Sequence, residues 1–510
     1  MEGRMPAYFR NGLRLFSWTL GVLSFWMFAT VNWAEARPPN IVLIMADDLG
    51  WRDVGYHDSE IKTPHIDRMM QNGVELNRFY VQPSCSPTRA SVMTGKSSVR
   101  LGVYQPIAKG TVTGLPLDEK VLPEILTGLG YQSLMAGKWH LGHTQRAYLP
   151  QERGFEHFYG HVTGGIGYWD HNHGGGHDWQ RNGVTVREEG YTTHLIADEV
   201  VNLIEGRDRS RPTFLFASFN APHLPNEAPE SSMDGYSEEM QFERRLHAGM
   251  VTELDVAIGR ILAKLQVEGM SEDTLVWFFS DNGGLNRSAN PEGLRSLIDA
   301  LITVFGTPLP IDGLEFVRKN INEGASDNAP LRAGKTSVYE GGIRVPSVLW
   351  APGYLQPGIS DAFVTAQDVL PTLLQAAGLS EGIPEGLDGD TRWQAILSDE
   401  VKVPSALPPR EFYVQGFDGT ALIRGPWKLV LPFSPLPWVN PPPQLYNIYA
   451  DPSEKRDRAE DFPDRVVSMQ ATMADWPLGP SIHPSMFRSL MDPDSFGGPE
   501  DREPWAERAR

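Results

Sequence analysis

The sequence predicts an α/β fold built on a mainly parallel central sheet flanked by helices, followed by a small antiparallel α+β region. Three observations carry this expectation. Asn40 to Ala46, Thr213 to Phe219 and Thr274 to Ser280 are continuous apolar runs without polar alternation. Strands of that kind are buried on both faces, which is the habit of parallel sheets. Stretches with helical spacing lie between them, at Thr63 to Gln71, Tyr191 to Ile204 and Gln241 to Leu265. Near residue 400 the composition shifts to a proline-rich linker, Val403 to Pro409, and then to short strand-like runs.

Bulk properties narrow the class. At 510 residues with 41% hydrophobic and 21% charged side chains, the chain is globular in composition and too long for one minimal core. We expect a large domain over 37–402 and a small one with a tail over 403–510. A net charge of −19 argues against nucleic acid or acidic membranes as general partners, so any anion site must be locally positive. The single cysteine, Cys85, excludes an intrachain disulfide.

Residues 1–36 have the pattern of an export leader. Arg4, Arg10 and Arg14 precede the uncharged, mostly apolar run Leu15 to Val31, and Ala34-Glu35-Ala36 forms a small-x-small site. An uncleaved anchor is the competing reading, and the alanine site favours cleavage. The expectation is an exported protein, periplasmic or secreted, with no stable membrane association.

Along the chain, the first strand (40–46) runs into Asp47-Asp48. Two adjacent carboxylates there are either a solvated turn or a cation site. Thr63 to Gln71 is a helix, and Val74 to Tyr80 a strand leading to Cys85. At Cys85, Pro87 suits a first helical turn, Arg89 falls four residues on and so on the same face, and Gly95 ends the helix. Such a cysteine lies beside a fixed cation at a helix N-terminus, a place that favours an anion. A leftover buried cysteine is the bland alternative.

Tyr131 to Ala136 reads as a strand, followed by Gly137-Lys138-Trp139-His140. Phe155 to Trp179, rich in glycine, aromatics and histidine, reads as a surface or substrate-contacting loop rather than a zinc site, because no cysteine helps it. Asn220-Ala221-Pro222-His223 follows the second core strand, and Asp281-Asn282-Gly283-Gly284 the third. Strand after strand thus ends in a polar cluster, a recurrence that solvated turns do not explain. Leu294 to Phe305 and Ala366 to Ala377 are helical. Glu411 to Gln415, Ala421 to Arg424 and Trp427 to Val430 are antiparallel strands, and Arg465 to Asp475 is a last helix.

Two stretches carry a resemblance. Cys85-Ser86-Pro87-Thr88-Arg89-Ala90-Ser91-Val92-Met93-Thr94-Gly95 resembles the first signature of the cysteine-type sulfatases, and Gly130 to Gly142 the second. Among sulfatases the chain is similar to the arylsulfatase B (N-acetylgalactosamine-4-sulfatase) type at Ala46 to Gly55, Leu115 to Lys120 and Gly137 to Gly142. The resemblance implies an alkaline-phosphatase-like sandwich and conversion of Cys85 to formylglycine by a separate maturation enzyme. It also implies one calcium ion, touched by the residue at position 85. Asp47, Asp48, Asp281 and Asn282 offer only oxygen ligands, which suit calcium or magnesium rather than zinc. Arg89, Lys138, His140, His223 and Lys335 are the implied sulfate-holding and proton-moving groups.

The expected activity is hydrolysis of a sulfated carbohydrate or aryl sulfate. In the implied mechanism Asp281 is the base for attack on sulfur, His223 with Lys335 protonates the leaving oxygen, and His140 takes the second proton. Phosphonate or phosphate ester hydrolysis is the nearest alternative, and a non-catalytic glycan-binding homologue the more distant one. The chain departs from the family pattern in the long 285–328 insertion and in the 155–179 stretch, both expected at the pocket mouth.

Overall fold

The computed structural model describes residues 38–479, apart from 110, 174–175, 288–291, 307–317, 320–321, 399–409, 434–440 and 478. The leader, the 403–409 linker and the charged tail therefore lie outside the described residues. Strands are numbered in chain order.

A ten-stranded mixed sheet forms the centre. Its parallel heart is β1 (Asn40–Ala46), β4 (Gln132–Lys138), β5 (His157–His161), β10 (Thr213–Ser218) and β11 (Thr274–Ser280), in the spatial order β11-β1-β10-β4-β5. On one side β12 (Ser347–Trp350), β2 (Val74–Leu76) and β13 (Gly358–Ser360) extend it, and on the other β8 (Gln180–Arg181) and β9 (Val184–Thr185). Successive side chains of β1 go to opposite faces, as a period of two requires. Ile41, Leu43 and Met45 join one core with the helices Cys85–Thr94, Leu122–Gly128 and Val369–Ala376. Val42, Ile44 and Ala46 join the other with Pro64–Gln71, Thr192–Gly206 and Phe242–Val267. Each fully buried aliphatic side chain stabilises by about 1.5–3 kcal/mol, so a strand apolar on both faces holds both helical layers.

The C-terminal sheet is antiparallel: β15 (Glu411–Gln415), β16 (Gly419–Arg424), β17 (Trp427–Pro432) and β18 (Gln444–Asn447). One face packs on Tyr80, Val338, Tyr339 and Ile343 of the larger part, and the other on the helix Pro463–Met473.

Three local expectations need correcting. Val74 to Tyr80 is not one strand: the chain turns at Asn77-Arg78, and β3 (Phe79–Tyr80) pairs with β14 (Val364–Thr365) in a separate sheet. Phe155 to Trp179 is not simply a loop, because it contains β5 of the main sheet and a small pair, β6 (Asn172–His173) with β7 (Gly176–His177). Gly160 explains the misreading. A Cβ there would lie 2.3 Å from the Gly137 carbonyl oxygen, so this strand needs glycine for close backbone approach. Ala366 to Ala377 is divided between a 3-10 turn, Ala366–Asp368, and the helix Val369–Ala376.

Candidate active site

The carboxyl ends of parallel strands are where open α/β sheets gather ligands, and four such ends converge here. β1 delivers Asp47 and Asp48, both buried. β4 ends in Lys138, with His140 two residues on in the left-handed region at φ 58°. β10 leads through Asn220-Ala221-Pro222 to His223, and β11 leads directly into Asp281 and Asn282. The helix Cys85–Thr94 arrives across these ends with every residue buried, and Gly95 closes it at φ 70° with its N–H bonded to the Ser91 carbonyl at 2.9 Å.

The charges are paired one to one. Lys138 Nζ lies 2.5 Å from Asp47 Oδ2, and Lys335 Nζ 2.8 Å from Asp48 Oδ2. Arg89 donates from Nε and Nη2 to Asp281 Oδ2 at 3.0 and 2.8 Å. The remaining Arg89 bonds go from Nη1 to the Lys138 carbonyl and Ser218 Oγ, at 2.9 and 2.7 Å. Arg89, implied above as a sulfate-holding cation, thus spends its shown bonds on the wall of the site and fixes Asp281. Asn282 donates to Asp48 Oδ1 at 2.7 Å, while its own Oδ1 is buried without a hydrogen-bond partner.

Cys85 Sγ is 3.3 Å from Asp47 Oδ1. Burial, and then Asp47, push its thiol well above the ordinary range. The helix N-terminus therefore does not yield a thiolate: the neighbouring carboxylate opposes it. Burial also acts to raise Asp47, but Lys138, His223, Arg89 and Lys335 outweigh it and hold this carboxyl well below normal. Asp281 goes the other way, pushed up to about 7 by burial and by Asp47. His140 is held neutral by burial and by Lys138 and Arg89. His223 is likewise lowered by burial and then Lys335, against Asp48 and Asp47. Its Nδ1 faces the Leu224 carbonyl at 2.7 Å and must donate there, so Nε2 is the nitrogen turned to the site, 3.7 Å from Asp48 Oδ2.

All ten residues singled out in the sequence are thus brought together: Asp47, Asp48, Cys85, Arg89, Lys138, His140, His223, Asp281, Asn282 and Lys335. Several neighbours were missed. Ser218, the last residue of β10, links Arg89 to Lys138, and Ser86 Oγ donates to the His140 carbonyl at 2.9 Å. Gly164 and Gly165 lie against the two site histidines, where added Cβ atoms would sit 2.9 Å from Cε1 of His140 and of His223 respectively. A serine at a strand end carries no sequence signal by itself, and the paired glycine was read only as part of a glycine- and aromatic-rich stretch.

Both family departures touch this region. The insertion is closed at its base by Asn286 and Ala325, which form a bridge, and Ser326 Oγ donates to the Asp48 carbonyl at 3.3 Å. A small, partly open depression lies there, lined among others by Asp48, Leu224, Asn226, His247 and Ser326. The expected helix within the insertion is present as Glu292–Phe305.

The oxygen donors of Asp47, Asp48 and Asn282 suit a hard divalent cation, whereas Cys85 Sγ and the His223 ring are softer. Ligand atoms of Asp47, Asp48, Cys85 and His223 lie within 4.8 Å of one another, and the orphaned Asn282 oxygen adds a neutral donor.

Residues 39–379 match the model of the family described as Sulfatase. The chain is 32% identical over 375 residues to arylsulfatase J of Mus musculus, covering 71% of this chain and 56% of that protein. To N-acetylgalactosamine-6-sulfatase of Homo sapiens it is 31% identical over 376 residues, covering 69% of this chain and 65% of the relative. It therefore spans less than two thirds of these relatives. Among solved structures, Ps i-CgsB in complex with k-i-k-neocarrahexaose superposes with a TM-score of 0.73 at 28% identity, over 86% of this chain and 93% of that one. With two thirds of its length matched to the family and the strand ends arranged as above, the chain belongs to the sulfatase family.

Proposed function

We propose that the protein is a sulfuric ester hydrolase that removes sulfate from a sulfated carbohydrate, using a formylglycine made from Cys85 and one bound calcium ion. One observation carries this reading: three buried cations, Arg89, Lys138 and Lys335, each neutralised by a different buried carboxylate, around the residue at position 85. Buried pairs of this kind cost desolvation that apolar side chains would avoid. Adding a divalent cation leaves the cluster net positive, which is the charge an anionic ester needs. The cysteine sulfur is the one soft donor in an otherwise oxygen and imidazole set. Replacing it by an oxygen-bearing side chain leaves His223 as the one non-oxygen donor among these ligand atoms.

Asp47, Asp48, Asp281 and Asn282 would hold the calcium ion, which supplies a fixed positive field for the sulfate and the departing oxygen. The formylglycine supplies a hydroxyl nucleophile for sulfur. The chain's own residues do the rest. Lys138 and Lys335, tied to different carboxylates, orient donors towards the anion. Arg89 occupies Asp281 Oδ2, so Oδ1, which also faces the Asp48 N–H at 3.4 Å, is the oxygen left both for the metal and for proton acceptance. His223 turns Nε2 towards the leaving alcohol oxygen and passes it a proton only after Nε2 has itself been protonated, since the neutral ring keeps its one proton on Nδ1, and the neutral His140 is available to receive one. Relatives named for N-acetylgalactosamine-6-sulfate and a neighbour crystallised with neocarrahexaose support a carbohydrate substrate. We also propose export, from the 1–36 leader.

The decisive experiment uses protein co-produced with a formylglycine-generating enzyme. The peptide mass across residue 85 is read first, and then sulfate release from defined sulfated sugars, an aryl sulfate and a phosphate ester. Aldehyde or hydrate at 85, with release from a sulfated sugar that disappears in Cys85→Ala, is the expected result. Full activity of Cys85→Ala, or faster turnover of the phosphate ester, would overturn it.

A further inference from the structure

Of the three site cations, Lys138 ends β4 and Arg89 lies in the helix Cys85–Thr94, and Lys335 alone is held by a loop. It lies in a loop whose backbone is held from two directions. Its own N–H bonds to the Gly284 carbonyl at 3.0 Å. The next residue, Thr336, is β-branched yet sits at φ 73°, a conformation that persists only when its surroundings over-determine it. Its N–H reaches the Pro83 carbonyl at 2.6 Å, two residues before Cys85. Its carbonyl accepts from Phe417 N–H at 2.8 Å.

Phe417 belongs to the turn between β15 and β16 of the C-terminal sheet. Asp418 of the same turn accepts from Ser337 Oγ at 2.5 Å and from the Val338 N–H at 3.0 Å, through its two oxygens. Burial raises the Asp418 carboxyl while these bonds oppose the rise, so the group is committed to the loop rather than to water. Gly416 makes the approach possible, since a Cβ there would lie 2.5 Å from the Thr336 carbonyl oxygen. β15 also touches the Cys85 side: the Tyr413 carbonyl accepts from Gln82 Nε2 at 2.9 Å.

We propose that the 416–418 turn is a clamp for the active-site lysine, with Asp418 as a positioning residue. It fixes the Thr336–Val338 backbone and so aims Lys335 at Asp48 and the sulfate. The C-terminal sheet is on this view a working part of the site. The inference rests on the role given to Lys335 above.

The test is a double-mutant cycle on formylglycine-bearing protein, read by kcat/KM on a turned-over sulfate ester and by the Kd of inorganic sulfate. Asp418→Ala should lower kcat/KM about tenfold to a hundredfold, since small misplacements of a catalytic group are that costly. In a Lys335→Ala background it should cost no more than about twofold, because the two act as one unit. Asp418→Asn retains an oxygen acceptor for Val338, and its amide can donate to the Ser337 hydroxyl. It should restore kcat/KM to within about threefold of the parent. Should Asp418→Ala fail to fold, Ser337→Ala runs the same cycle and should show the same non-additivity. An equal loss in both backgrounds would overturn the clamp while leaving Lys335 in place. Unchanged kcat/KM and sulfate Kd in Lys335→Ala would instead overturn the role of the lysine, and the clamp with it.

Discussion

Asn282 shows how a single side chain can be read twice. Its amide nitrogen fixes Asp48, and its oxygen is buried with no hydrogen-bond partner. A buried orphan of this kind costs about 1–3 kcal/mol unless a ligand takes it up. Asn282→Ala should therefore weaken calcium binding by about tenfold or more, measured as the calcium concentration that restores half the activity after chelation. Calcium dependence unchanged in the variant would remove Asn282 from the ligand set. Gly165 is the second case, because an added Cβ meets the ring of His223 rather than backbone. The ring can give way, but then Nε2 leaves its place. Gly165→Ala should lower kcat about tenfold or more, with a melting temperature within a few degrees of the parent. A large fall in melting temperature with kcat preserved would make the glycine structural only. Asp47, Asp48, Lys138, His140, His223, Asp281 and Asn282 were legible because they follow apolar strands, Cys85 and Arg89 because they open a helix within a signature, and Lys335 through the resemblance alone. The glycines and Ser218 were not, because their part is to permit or bridge a contact that exists only in three dimensions.

At the scale of elements, the strands that read best were those buried on both faces. β1 and β11 match their expected bounds, and β10 ends one residue early, at Ser218. The reading failed where pairing rather than composition decided. β3 leaves the line of β2 because Phe79 and Tyr80 find partners in β14, and β18 follows residues with no strong alternation. Gly137 links this scale to the site. It sits in β4 at φ 110°, and a Cβ there would be 1.8 Å from the Ser218 carbonyl oxygen. That atom is backbone in the neighbouring strand and cannot swing aside. Gly137→Ala should cost more than about 3 kcal/mol through strain and lost register, and yield little folded protein. A soluble variant with the parent's urea midpoint would show that β4 and β10 can separate without loss.

Across the whole molecule, the C-terminal sheet is joined to the larger part by a fully buried ionic cluster. Lys428 of β17 lies 3.2 Å from Glu340 Oε1 and 2.9 Å from Glu454 Oε1. Tyr80 donates to Glu340 Oε2 at 2.9 Å, and the Glu340 N–H to Glu454 Oε2 at 2.7 Å. No sequence pattern announces this cluster, because its members come from four separate stretches and Glu340, Lys428 and Glu454 each look like a surface charge. Lys428 is shared between the two carboxylates and Arg344 reaches only Glu340, at 4.0 Å, so burial and Glu340 push Glu454 up to about 7, against Lys428. The sign follows from proton counting. Between the ordinary glutamate pKa of 4.5 and about 7 the folded chain holds this proton more tightly than the unfolded chain. The contribution of Glu454 to stability is therefore complete below that window and declines as pH rises through it, by up to about 1.4 kcal/mol per pH unit. Glu454→Gln carries a permanent neutral equivalent of the protonated acid and keeps an oxygen for the Glu340 N–H. It should be close to the parent in urea stability at pH 5 and more stable than the parent at pH 8. Parallel stability profiles for the two proteins across that range would show that Glu454 stays ionised, and that Lys428 with Arg344 balances both acids without a proton.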